Sequence, residues 1–227
     1  FTRAVENGAE IAYEPHTVGD KNGKVTRAGI KTYGEVIHTF VSRTGEFALP
    51  NIKKGGVLLP GFETMDHPLN QYNEEHPCGL KFLDHCVGNV ELGGMDRTVD
   101  WYEKVLEFSM FKHFDDEDIS TEYSALMSKV MSSGGGLIKF PINEPAEGKR
   151  KSQIQEYLDW HSDTPGIQHL AFRTDDAIQS IAELRRRGVN FLKIPEAYYD
   201  NVWDRVGTIE EEKQIIILLL FHSTIII

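Results

Sequence analysis

Two histidines, His85 and His169, carry the chemistry around which this sequence is arranged. Each interrupts a short apolar run: Leu83-Asp84-His85-Cys86-Val87-Gly88-Asn89-Val90 and Ile167-Gln168-His169-Leu170-Ala171-Phe172. Both runs read as strands. Alternation puts Leu83, His85 and Val87 on one face of the first, and Ile167, His169 and Ala171 on one face of the second. A polar turn and a helical pattern follow each histidine: Val99, Tyr102, Val105 and Leu106 after the first, Ile178, Ile181, Ala182 and Leu184 after the second. Phe108 lies 23 residues beyond His85 and Phe191 lies 22 beyond His169, so the next apolar element starts at a similar distance. One strand–helix–strands unit is therefore used twice, with a histidine at the same place in its first strand. A lone strand histidine is usually a satisfied core residue. Two of them, which a pseudo-twofold pairing of the units would bring together, are expected to form a metal site.

The elements that must position these histidines show the same repetition elsewhere. Gly8-Ala9-Glu10-Ile11-Ala12-Tyr13-Glu14-Pro15 matches Gly188-Val189-Asn190-Phe191-Leu192-Lys193-Ile194-Pro195. In each, a glycine ends a helix, a strand follows, and a proline stops it. The chain thus begins inside the last unit of one domain, of which residues 1–44 are the remnant, and an upstream part is expected. Val25 to Tyr33 and Val36 to Ser42 form a hairpin turning at Gly34-Glu35. Residues 45–79, rich in Gly, Pro, Asn, Glu and His, read as a linker in which Val57, Leu58, Leu59 and Phe62 pack on a domain. Residues 80–227 form the second domain. Within it Glu122 to Met131 and Leu137 to Ile142 are strands flanking the Gly134-Gly135-Gly136 turn, and Asn143-Glu144-Pro145 ends the second strand. Lys149-Arg150-Lys151 is a solvated loop, and Ser152 to Trp160 a short helix. The apolar run Ile215 to Ile227 is shorter than the roughly 20 residues that span a bilayer and reads as buried strand. The fold class is α+β.

The bulk properties narrow the partners. The 227 residues carry a net charge of −11, which disfavours a phosphate backbone, so no nucleic-acid partner is expected. No signal peptide or membrane partner is expected either. Two cysteines, Cys78 and Cys86, give neither a disulfide framework nor a zinc pattern, and a reducing compartment, the cytoplasm, is expected. Cys86 faces away from His85 and reads as a small buried residue.

The stretches around His85 and His169, together with Phe140-Pro141-Ile142-Asn143-Glu144-Pro145 and Lys151-Ser152-Gln153-Ile154, resemble the 4-hydroxyphenylpyruvate dioxygenase family. Four ordered motifs make the resemblance specific, and it extends from Gly8 to about Glu212. It implies paired βαβββ modules of the vicinal-oxygen-chelate type, the glyoxalase and dioxygenase architecture. It further implies that His85 and His169 are two of three ligands to a non-haem Fe(II), the cofactor, in a two-histidine, one-carboxylate arrangement with open positions. A small aromatic 2-oxoacid and O2 would be the substrates, and homogentisate and CO2 the products, in tyrosine and phenylalanine breakdown. Ser128, Asn143, Gln153 and Gln168 match the polar residues on the substrate side, and Pro141 shapes the pocket wall. A homo-oligomer is expected. The third ligand should be a late glutamate, yet no acidic residue follows Glu212; it is expected beyond Ile227. The alternatives are 4-hydroxymandelate synthase, which hydroxylates the side chain of the same substrate, and a non-catalytic module of the same fold.

Overall fold

The computed structural model describes residues 1–114, 125–146 and 151–191. It is an α+β chain that divides into two compact units, residues 1–66 with 87–168, and residues 67–86 with 169–227.

The first unit is organised around one amphipathic helix. The chain opens with helix α1 (Thr2–Glu6), followed by the antiparallel strands β1 (Ile11–Asp20), β2 (Gly23–Lys31) and β3 (Ile37–Arg43) in the order β1-β2-β3. Gly8, with φ 103°, releases α1 into β1 in a backbone conformation that L side chains rarely adopt. Pro15 does not stop β1, contrary to expectation. The strand runs on to Asp20, because a bulge between Tyr13 and His16 absorbs the residue that cannot donate to the ladder. The hairpin of β2 and β3 is as expected, with Ile30 opposite His38.

After two short helices, α2 (Leu49–Ile52) and α3 (Leu69–Glu75), come β4 (Leu80–Asn89) and helix α4 (Met95–Leu106). Strands β5 (Ser109–Phe114), β6 (Ala125–Ser133) and β7 (Ile138–Ala146) complete a βαβββ succession. Helix α5 (Gln153–Trp160), strand β8 (Gly166–Thr174) and helix α6 (Ala177–Arg186) follow, and the sheet order is β5-β6-β7-β4-β8. The heptad-like run Met95, Thr98, Val99, Tyr102 and Val105 is buried on α4. One side of it packs with Val90, Met131 and Ile142 of the second sheet, while Val105 joins Ala4, Ala9 and Ile30 below the first. This helix is thus sandwiched between two sheets, which explains its nearly continuous apolar stripe.

Several expectations for the loops change. Residues 45–79 contain short helices, and the residue that packs fully is Phe47; Leu58 and Phe62 stay exposed. Strand β7 passes through Asn143-Glu144-Pro145 to Ala146, since β6 pairs with it as far as Ala125. On α6 the buried residues are Ser180, Ile181 and Glu183, while Ala182 is exposed. In the second unit α3 is tied to α6 by side chains: Glu183 accepts from Arg187 and from Tyr72, and Arg187 also donates to Asn73 and to the His76 carbonyl. The expected strands at 192–195 and Ile215 to Ile227, the start of the strand expected from Glu122, and Lys149 with Arg150 lie outside the described residues. Among the described residues no helix is long and apolar enough to cross a membrane.

Candidate metal centre

Strands β4 and β8 place His85 and His169 in the same unit, with ring centroids 6.2 Å apart and planes at 71°. A metal bonds an imidazole nitrogen at about 2.0–2.2 Å, so rings on opposite sides of one ion have centroids roughly 6.5 Å apart, and rings at right angles, as in a facial set, about 4.6 Å. At 6.2 Å the pair stands near the wide end of that range, and the rings would close by more than about 1 Å to take up a facial set.

The local chemistry suits ligation. Burial, reinforced by the neighbouring His85, pushes His169 down to about 4, so its ring is neutral at ordinary pH and keeps a lone pair for a metal. At His85 the Asp84 carboxylate accepts from Nδ1 at 2.8 Å. With Nδ1 as donor, Nε2 is the nitrogen left to bind, which is how metal-bound histidines are usually fixed in tautomer and orientation. Asp84 belongs to the sequence motif around His85, but nothing in its type or spacing assigns it this role. The only signal is its adjacency to His85, and a neighbour on a strand normally points to the other face. Cys86 is half-buried and burial pushes its thiol up, so it offers no thiolate here. Among the described residues no group of three or more His, Cys, Asp or Glu side chains could hold a metal. Two imidazoles fit a borderline transition metal, and the carboxylate of a facial set is not among the described residues.

The polar residues expected on the substrate side fall into two places. Ser128 and Asn143 are register partners across β6 and β7, both buried, with 4% and 7% of their surface exposed. Pro141, half-buried, lies two residues earlier on β7 and on the same face as Asn143. Gln153 is not part of this row: it is the first residue of α5, just after the capping Ser152, and is exposed. Gln168 precedes His169 in β8 and is half-buried. Sequence reasoning missed Asn89, the parallel register partner of Asn143, which is fully buried.

Residues 82–212 match the model of the Glyoxalase/Bleomycin resistance protein/Dioxygenase superfamily. The chain belongs to this superfamily. The superfamily's βαβββ module is the β4–α4–β5–β6–β7 succession described above. Among individual proteins, the chain is 47% identical over 204 residues to a 4-hydroxyphenylpyruvate dioxygenase of Tetrahymena thermophila, covering 89% of this chain and 48% of that protein. It is 44% identical over 209 residues to one from Dictyostelium discoideum, covering 91% and 54%. A solved mutant of 4-hydroxymandelate synthase from Streptomyces coelicolor superposes with a TM-score of 0.65 at 27% identity, covering 98% of this chain and 57% of that one. The chain spans about half the length of the curated relatives it matches.

Proposed function

We propose that the full-length gene product is an Fe(II)-dependent dioxygenase that converts 4-hydroxyphenylpyruvate and O2 to homogentisate and CO2, in tyrosine and phenylalanine breakdown. The observation that carries this reading is the approach of two half-buried imidazoles, one of them held neutral, to 6.2 Å between ring centroids. Identity to 4-hydroxyphenylpyruvate dioxygenases over nine-tenths of the chain supports it. Bound at His85 and His169, Fe(II) would bind and activate O2, and the electrons that reduce O2 would come from the substrate itself, through loss of CO2 from the oxoacid and hydroxylation of its ring. Asp84 orients the His85 ring, and a carboxylate completes the proposed ligand set. Ser128, Asn143, Gln153 and Gln168 offer hydroxyl and amide groups, which bind the oxygens of an oxoacid or a phenol without adding a competing charge or ligand. The division into residues 1–44, 45–79 and 80–227, a cytoplasmic location and a homo-oligomeric state belong to the same proposal.

The likeness to 4-hydroxymandelate synthase favours a second reading, hydroxylation of the side chain in place of the ring. One experiment separates them. O2 uptake by the full-length product is followed with Fe(II), ascorbate and 4-hydroxyphenylpyruvate, and the product is identified by chromatography. Homogentisate is expected. 4-Hydroxymandelate would select the second reading, and an iron-loaded protein that takes up no O2 would overturn both.

A further inference from the structure

Asn89 closes strand β4 and is completely buried, yet among the described residues neither Nδ2 nor Oδ1 of its carboxamide has a hydrogen-bond partner. Such groups are rare, because a buried donor or acceptor left unmade has lost its water without a replacement. The surroundings suggest what the amide is kept for. Asn89 is the register partner of Asn143, and Asn143 is the register partner of Ser128, so three buried polar side chains form one row across β4, β7 and β6. Register partners project to the same face of a sheet. Their sequence neighbours Val90 and Ile142 belong to the apolar core under α4, which puts the polar row on the face turned away from that helix. Adjacent strands are about 4.8 Å apart, so a single ligand atom lying over the row is within reach of two neighbouring side chains.

The chemistry of the unmade bonds selects the ligand group. A carboxylate or a keto oxygen only accepts, and would leave Oδ1 unsatisfied. A hydroxyl both donates and accepts, and can answer Nδ2 and Oδ1 of one amide or be shared between two. We infer that Asn89 is a specificity-determining residue which, beside Asn143, binds the ring hydroxyl of the aromatic substrate and selects it over the unhydroxylated analogue. The inference rests on the proposed oxoacid substrate. A site whose buried polar groups are answered only by a substrate hydroxyl penalises the ligand that lacks it.

The test is equilibrium binding by calorimetry to anaerobic, Fe(II)-loaded full-length protein, with 4-hydroxyphenylpyruvate and phenylpyruvate as the two ligands. Wild-type protein is expected to prefer the hydroxylated acid. Asn89→Leu, which keeps the branched shape and removes both polar atoms, should weaken 4-hydroxyphenylpyruvate by roughly 10-fold and leave phenylpyruvate within about twofold, the loss of one net hydrogen bond. Asn89→Ala, which adds no volume at the strand end, should repeat the pattern should the leucine variant fail to fold. Equal weakening of both ligands, or an unchanged preference, would mean that the amide serves the strand end or an internal water, and overturns the inference. Failure of the wild-type protein to bind either acid would instead overturn the functional proposal on which it rests.

Discussion

A transition metal competes with protons for imidazole, so the environment that keeps a histidine neutral also readies it for a metal. Burial does this at His169, and at His85 the hydrogen bond from Nδ1 to the Asp84 carboxylate leaves Nε2 as the nitrogen for the proposed ion. The two effects predict different mutant behaviour. Replacing His85 or His169 by alanine should abolish retention of Fe(II) on gel filtration and leave the far-UV circular dichroism unchanged, since the strands are held by apolar neighbours. Asp84→Asn keeps an acceptor but removes the charge, and should weaken metal binding by about 10–100-fold, measured by chelator competition. Equal metal affinity in Asp84→Asn and wild type would remove Asp84 from the centre. At this scale the sequence was readable where chemistry repeats. His85 and His169 stand out because the same strand pattern surrounds both, whereas Asn89 and Asp84 have no period to betray them. Their significance comes from cross-strand register and from a hydrogen bond between chain neighbours, and neither leaves a mark in spacing. Gln153 stands apart from the buried row because Ser152 caps α5 through the Ile154 amide, which sets Gln153 at the exposed first turn of that helix.

Helix α4 is the element on which the first unit depends, and its start is capped from outside the helix. Gly94 precedes it without a side chain, and the Met95 amide donates instead to Glu144 Oε2 at 3.1 Å from the neighbouring strand β7. Glu144 is buried at 6% exposure, and an acidic group at a helix N-terminus also meets the positive end of the helix dipole. Glu144→Ala should therefore cost about 1–3 kcal/mol in urea unfolding, more than a surface cap, because it leaves a buried donor unmade. A loss below about 0.5 kcal/mol, the size of an ordinary surface substitution, would show that the cap contributes little. Glu144 was readable in sequence only as part of a strand-ending turn. Proline at 145 argued for a stop, but strand β7 tolerates it because among the described residues its ladder there is with β6 alone. The same reasoning covers Pro15 in β1, an edge strand with a bulge. Periodic elements such as α4 and the β2–β3 hairpin were legible because many residues vote together; prolines mislead because their effect depends on which neighbour strand needs the missing N–H.

At the scale of the whole chain, a second half-buried histidine links folding to pH. His38 of β3 stacks on Trp101, lies 5.1 Å from the Phe140 ring between centroids, and shares a hydrogen bond of 2.8 Å with the Tyr102 hydroxyl. Burial among these rings pushes it down to about 4. The unfolded chain binds this proton with a pKa near 6.5, so between roughly pH 6.5 and 4 the unfolded state holds more protons than the native one. Stability is therefore complete above that window and falls as the pH is lowered through it. At pH 5 the loss attributable to this one residue is about 2 kcal/mol, since a group shifted downward must be charged to unfold but stays neutral when folded. His169 has the same direction of shift, so wild-type protein alone would not identify the source. His38→Gln keeps a hydrogen-bonding group for Tyr102, cannot titrate, and leaves His169 as it was. Unfolding by urea at pH 7 and at pH 5 should show wild type losing about 2 kcal/mol more than this variant between the two conditions. If the variant and the wild type lose the same amount, His38 is already protonated in the native state, and the aromatic cage between β3, α4 and β7 must be open to water at low pH.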